Sequence, residues 1–341
     1  MSQPLKNQFK ISLLVLVGLT LITSVISLSL GSVDIPVKNI FEMLLSRLPL
    51  IGRFFPRHNG SDSTIILLIR LPRILLGLIA GIALSVSGSS MQGVFKNPMA
   101  SPFILGVSAG GAFGAAIGIT FGLAWFWIPG VAFFFSTITM LTVFFLGRIR
   151  GQTDISTLLL AGLAMNFLMT ALTSFILFYS DPAERMSIVA WTWGSLSGTV
   201  WDEIWISLTV MLLGTAGVYA YARDLNVMQT GETSAKQLGI KVEKTKVIQL
   251  ITSSLLAAVV ISFTGVIGFV GLIIPHASRL LVGPDHKRLI PVAALLGGTF
   301  LIICDTISRM SGGLWVGVIT GLFGAPFFIY LLLKNRGETG W

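Results

Sequence analysis

The sequence predicts an all-α, polytopic membrane protein of about ten transmembrane helices, forming one domain over residues 1–341. Three observations predict it. Apolar residues make up 54% of the chain and charged residues only 11%, against roughly 25% charged in an ordinary soluble domain. Mean hydropathy is +0.87. Apolar runs of membrane-crossing length recur from Ile11 to Leu333. So little charge cannot clothe a soluble surface, and the same composition excludes collagen-like, disulfide-framework and disordered chains.

Taken in order, Lys6 and Lys10 precede the first run, Ile11 to Leu30. That run is long enough to cross the hydrocarbon core and no A-x-A cleavage pattern follows it, so it reads as a retained first helix. The connector Gly31 to Ser63 is broken by Pro36, Pro49 and Pro56, with room for a short interfacial helix over Val37 to Leu48. Further spans are expected at 65–86, 98–120, 124–146, 155–179, 195–221, 247–264, 267–282, 289–308 and 314–333. The one from Ile267 is short and interrupted by Pro275. Gly106, Gly110, Gly114 and Gly118 recur every fourth residue, as do Gly313, Gly317, Gly321 and Ala325; such small-residue stripes let helix backbones approach closely in lipid. Gly88 precedes Pro98 by the same spacing as Gly265 precedes Pro275. That spacing is an echo of opposite sense, of the kind inverted repeats produce. Cys304 lies inside an apolar run and reads as a packing residue, with no disulfide framework and no thiolate cluster.

The net charge of +9 belongs to loops and lipid headgroups in such a chain, and no nucleic-acid partner is expected. With ten spans and an internal N-terminus, most Lys and Arg fall on one side, among them Lys96, Arg148, Arg150, Arg223, Lys236, Lys241, Lys244, Lys246, Lys287, Arg288 and Arg336. The positive-inside rule then places both termini in the cytoplasm, and the expected location is the cell (inner) membrane.

No catalytic chemistry is visible. There is no G-x-x-x-x-G-K-[ST] phosphate loop, no H-E-x-x-H and no G-x-S-x-G. His58, His276 and His286 are too scattered for a metal site, so no enzyme activity, metal or cofactor is expected. Asp305 stands four residues before Arg309, which allows pairing on one helical face. Arg279 follows Pro275 and His276, and an intramembrane charge is a functional hypothesis by default. Only Asp154 and Asp305 offer midplane carboxylates, which argues against an ion-coupled secondary carrier. Arg70 and Arg73 flank Leu71 and Pro72 at the outer start of the second span, where proline suits a first helical turn. The arginines are either headgroup anchors or, with Arg309, a basic rim for an acidic partner protein. The hydrophilic loop at about 222–246 carries Gly231, Glu232, Ala235, Leu238 and Gly239. It fits two short helices broken by glycine, and two readings stand: a solvated connector, or a docking element for a cytoplasmic partner.

At these residues the sequence resembles a known family. RLPRILLGLIAGIALSVSGSSMQGVFKNPMASPFILGVSAGGAFGAA (Arg70 to Ala116), LLLAGLA (Leu158 to Ala164), WTWGSL (Trp191 to Leu196), GETSAKQLGI (Gly231 to Ile240) and GVIGFVGLIIPHASRLLVGPDHKRLIP (Gly265 to Pro291) are similar to FecCD or BtuC-like permeases. Asp305, Arg309 and VGVITGLFGAPFFIYLLLK (Val316 to Lys334) continue the match. These are the membrane subunits of iron-siderophore, haem and vitamin B12 ABC importers. The resemblance implies a type II importer fold, a homodimer with the path at its interface, and two copies of a separate cytoplasmic ATPase. It implies ATPase coupling through Gly231, Glu232, Ala235, Leu238 and Gly239. Docking of an extracytoplasmic solute-binding protein would fall to Arg70, Arg73 and Arg309. A cytoplasmic gate is implied at Asn97, Pro98, Met99 and Ala100, with Ser156 at a second constriction. One departure stands out: Met310, Ser311, Gly312, Gly313, Leu314 and Trp315 replace the family's longer connector ending in Glu-Leu-Pro. Some relatives carry molybdate-like oxyanions instead of metal chelates, so the resemblance leaves the cargo between those classes.

Overall fold

The computed structural model of the chain describes residues 3–31, 33–47, 52–54, 56, 60–149 and 151–334. Pro49, His58, Arg150 and Arg336 lie outside the described residues. The chain is helical almost throughout: α1 (Gln3–Ser29), α2 (Val37–Leu45), α3 (Ser61–Thr64), α4 (Leu71–Phe95), α5 (Val107–Thr120), α6 (Ile128–Leu146) and α7 (Ile155–Tyr179) make up its first half. Then come α8 (Pro182–Thr192), α9 (Trp201–Ala220), α10 (Ala222–Met228), α11 (Glu232–Gln237), α12 (Val242–Thr264), α13 (Val270–Val282), α14 (His286–Met310) and α15 (Val316–Lys334). A two-stranded hairpin, β1 (Arg148–Ile149) with β2 (Gln152–Thr153), joins α6 to α7. Among the described residues seven segments are long and apolar enough to cross a membrane, and α5, α13 and α15 are shorter apolar helices. Together they stand at the ten predicted positions.

The differences from those predicted spans have physical causes. The second span runs unbroken from Ser61 to Phe95, so Pro72 does not start it. Pro72 has no N–H to offer the carbonyl four residues back, and the chain widens into a π-turn over Ile65–Arg70 just before it. The third span begins late. Residues 96–101 are not helical, Pro102–Leu105 is a 3-10 turn, and α5 has only 14 residues, about 21 Å at 1.5 Å per residue. The eighth behaves alike, with 13 residues in α13. Neither covers a hydrocarbon core of about 30 Å. The sixth starts only at Trp201, and the residues before it hold the unpredicted α8, whose Asp181 amide donates to the Glu184 carboxylate (3.3 Å) in capping-box fashion.

Helix α4 lies at the centre, packed on α9, α12, α13 and α14. Small residues make this possible. A Cβ on Gly81 would collide with the backbone of Gly297 and Gly298 in α14, and one on Gly88 would collide with the Gly271 carbonyl in α13. The stripe in α5 behaves as predicted: Gly110 lies against Phe135 and Thr139, Gly114 against Val131 and Ala132, all on α6. The stripe in α15 is only partly used, since Gly317 abuts Trp193 while nothing lies within 4 Å of a Cβ on Gly313 or Gly321.

Both short helices begin inside the bundle. The Gly106 turn before α5 lies against Thr139 and Met165, midway along α6 and α7, and Asn166 Nδ2 donates to the Phe103 carbonyl there (3.2 Å). That bond answers a backbone acceptor that lipid cannot satisfy. The start of α13 lies against Leu84 and Gly88 of α4, with Phe269 in the left-handed region at φ 67°. A long helix followed by a half-helix thus occurs twice, as α4–α5 and α12–α13, and the chain direction makes the two antiparallel. The Gly–Pro echo does not mark equivalent positions within them. Gly88 is inside α4 and Gly265 follows α12; Pro98 precedes α5 and Pro275 is inside α13.

Gly88→Ala is expected to destabilise the protein by about 1–3 kcal/mol through overpacking against a rigid backbone. Gly18→Ala, inside α1 where nothing lies within 4 Å, should not lower the unfolding midpoint in detergent.

Candidate functional site

Polar side chains gather at the two ends of the bundle. At the end holding the α4 start and the α14 finish, Asp305 is 1% exposed and lies between two arginines. Arg73 Nε donates to its Oδ1 at 2.7 Å, and Arg309 Nε donates to Oδ2 at 3.2 Å. The predicted Asp305–Arg309 pair is therefore one of two ion pairs in a three-residue cluster. Arg309 continues to the Leu30 and Ser27 carbonyls (2.9 and 2.8 Å), tying α14 to the end of α1. Arg73 Nη1 reaches the Ser197 hydroxyl at 2.8 Å. Arg70, only 4% exposed, turns the other way and donates to the carbonyls of Leu28 (2.6 Å), Ser29 (3.0 Å) and Val33. The three arginines share one end, as predicted, but all are bonded inward.

The last connector sits beside them. Gly312 and Gly313 adopt φ 76° and 85°, a left-handed pair that reverses the chain in few residues. The amides of Val316 and Gly317 then donate to the Gly194 and Trp193 carbonyls (3.1 and 3.0 Å), pinning the α15 start to the loop before α9.

The opposite end carries α10, α11 and the hairpin. Gly231 (φ 121°) separates the two short helices and Gly239 (φ 81°) closes α11, which is the glycine-broken pair the sequence allowed. Ala235 is fully buried in a small cluster with Met228 and Val242, whereas Leu238 is 69% exposed. Glu232 opens α11 and bonds to Lys246 Nζ at 2.7 Å. Lys246 is 3% exposed and also lies 3.3 Å from Glu243 Oε1. The other Glu243 oxygen accepts the Thr153 amide of the hairpin at 2.8 Å. One buried ammonium thus joins α11, the start of α12 and the hairpin that leads into α7. A cavity of 590 Å³ lies in this corner, lined by Thr153, Asp154, Glu232, Glu243 and Lys246.

Asp154 is not a midplane carboxylate. It is the exposed N-cap of α7, accepting from the Thr157 amide (2.7 Å) and hydroxyl (2.6 Å). Those bonds, the hydroxyl's first, hold its carboxyl below the usual carboxylate range. The cap is therefore fully formed at neutral pH and is lost only as pH falls through that depressed value. Ser156 follows in the exposed first turn of α7. Asn97, Pro98 and Met99 form an exposed Asx turn, with Met99 N donating to Asn97 Oδ1 at 2.8 Å, at the same end but in a different pocket. Sequence reasoning missed Lys246 and Glu243, which looked like ordinary members of a basic loop.

Comparison with known proteins agrees with this architecture. The model of the FecCD transport family matches residues 19–334. The chain is 46% identical over 266 residues to a cobalamin import system permease of Halobacterium salinarum, covering 77% of this chain and 72% of the relative. It is 33% identical over 328 residues to the molybdate import system permease of Haemophilus influenzae, covering 94% and 96%. A solved structure of a candidate metal-chelate type ABC transporter in an inward-facing conformation superposes with a TM-score of 0.82 at 32% identity, covering 94% of this chain and 98% of that one.

Removing Asp305 leaves two arginines without their shared counter-ion. Asp305→Ala is expected to lose about 3–5 kcal/mol of stability, as for other broken buried pairs. Arg73→Gln should lose less, because Arg309 keeps its partner; denaturant midpoints in detergent check the order.

Proposed function

The chain belongs to the FecCD transport family and is the permease subunit of an ABC importer, a transport component and not an enzyme; we propose that its cargo is a metal chelate. An iron-siderophore, haem or cobalamin would be handed over by a solute-binding protein and driven inward by a separate ATPase. The observation that carries this reading is the 46% identity to a cobalamin permease. The likeness to a metal-chelate type transporter supports it. A second reading, an oxyanion importer, draws on the 33% identity to a molybdate permease over nearly the whole chain and on the shortened connector at Gly312–Trp315.

In this reading the arginine end faces outward and both termini are cytoplasmic, with two copies pairing around a shared path. Binding-protein carboxylates would take Arg73 and Arg309 in exchange for Asp305, while Arg70 braces the α1–α2 loop beneath them. The ATPase would press on α11 through exposed Leu238, with Gly231 and Gly239 as its flexible limits. Ala235 and Glu232 would pass the displacement inward. The bonded path from Glu232 through Lys246 and Glu243 to Thr153 ends in β2, just before α7, where Ser156 would face the gate. Asn97, Pro98 and Met99 would form the companion constriction. The scarcity of midplane carboxylates fits a permease whose energy comes from a partner.

Reconstitution with its ATPase and binding protein tests the cargo. ATP-dependent uptake of ferric siderophore, haem or cobalamin into proteoliposomes is expected. Uptake of molybdate alone would transfer the assignment to oxyanions, and uptake driven by an ion gradient without ATP would overturn the importer reading. In the same vesicles Lys246→Met is expected to lower cargo moved per ATP hydrolysed at least about fivefold, the low end of couplings between linked sites. An unchanged ratio would remove Lys246 from the coupling path.

A further inference from the structure

The sequence singled out Arg279 beside Pro275 and His276, and nothing in the transport reading uses it. In the structure it borders a 260 Å³ cavity at the α10–α11 end of the bundle, together with Lys96, Asn97, Gln229, His276 and His286. No acidic residue lines this cavity, and no carboxylate lies within ion-pair distance of Arg279 or Lys96 among the described residues. The nearest acid in sequence, Asp285, is committed elsewhere. Its Oδ1 accepts from Asn226 Nδ2 (2.6 Å) and the Lys287 amide (3.0 Å), and its Oδ2 faces Arg288 Nε at 3.8 Å.

Arg279 and the neutral groups around it are held in place. Gln92, 3% exposed, donates through Nε2 to the Leu272 carbonyl (3.1 Å), which fixes its Oε1 to accept from Arg279 Nη2 (3.1 Å). His286, also 3% exposed, is fixed by Asn226 Oδ1, which meets both its backbone N–H (2.8 Å) and its Nδ1 (2.9 Å). Gln229 is anchored on the Gly93 carbonyl (2.9 Å). Arg279 is a half-buried guanidinium that, among the described residues, bonds only to a neutral amide; it lacks a counter-charge, and in a low-dielectric site that deficit favours an anion. The donors converge from three elements, namely Lys96 at the α4 end, Arg279 on α13 and Gln229 at the end of α10. That spread suits an anion with oxygens in several directions better than a planar carboxylate.

We propose that this cavity is a binding site for a phosphate-class tetrahedral oxyanion, held by Arg279 and Lys96 with His276 and Gln229 at its rim. The same chemistry is offered by free phosphate and by the headgroup of an anionic lipid, because basic pockets between helix ends near the membrane surface accept both. The site is separate from the cargo assignment and stands or falls without it.

The purified full-length permease is tested in two arms. In the first, thermal unfolding is followed in sodium phosphate against sodium chloride of equal ionic strength. A free-anion site raises the midpoint by about 3 °C or more, and Arg279→Gln abolishes the increment. In the second, permease from nanodiscs of mixed phosphatidylglycerol and phosphatidylcholine is released into native mass spectrometry. A lipid site retains phosphatidylglycerol in the wild type and loses it in Arg279→Gln. Lys96→Gln, at an exposed position, guards against misfolding of the first variant and is expected to weaken whichever effect is seen. Equal responses of wild type and both variants, or no response in either arm, would overturn the proposal.

Discussion

In lipid, helices gain nothing by burying apolar side chains against one another, so a bundle coheres where backbones come close and polar groups are matched. Helix α4 is where this protein meets that constraint. Gly81 admits the backbone of α14 and Gly88 that of α13. Ser87 donates to the Ser253 carbonyl and Ser90 to Gln249 Oε1, both on α12. Each contact requires a residue too small to leave room for a substitute. The same closeness lets α13 start inside the bundle, since its first turn is received by a glycine on α4. Without α4 as a slender spine, α13 would have no protein wall against which to start, whereas α5 starts against α6 and α7.

Because the middle of the bundle is closed by backbone contact, charge is displaced to its ends. Asp305 sits about five residues from the end of α14, and Lys246 about four from the start of α12. In both places one buried charge of one sign is shared by two of the other, and each node reaches an element far away in sequence, the second through the bond of Glu243 to Thr153. Arg73 and Asp305 are 232 residues apart. Such nodes are stable only while complete, because a lone survivor would be a desolvated charge. They therefore behave as clips between rigid rods, the kind of joint through which a push at one end can be passed on without bending a helix.

How much of this was legible follows from the physics of each feature. Hydropathy located ten apolar segments because water-to-lipid transfer acts on composition, residue by residue. It could not separate a spanning helix from an extended entry followed by a half-helix, since both are apolar over the same window. Residues 98–106 were absorbed into a span for that reason. The π-turn before Pro72 carried a signal, a proline preceded by a long apolar run, that reads equally as a helix start. Asp305 and Arg309 could be paired because i,i+4 spacing is local. Arg73 could not be added, since no local rule joins residues on different helices. The inward turn of Arg70 was hidden likewise: its partners are backbone carbonyls, which every residue owns.

The resemblance to permeases named the residues at both ends but could not tell which atoms of them are free. Arg70, Arg73 and Arg309 share an end, yet each already bonds to something in its own chain. In the proposed docking a partner would meet occupied donors, and binding would become an exchange of one carboxylate for another. Exchange is weaker than capture by a bare rim, and it changes the permease: a carboxylate that draws Arg73 from Asp305 also loosens the hold of α4 on α14 at the mouth of the bundle. The buried counter-ion would then make docking and opening two aspects of one event. A bare arginine rim would give affinity alone.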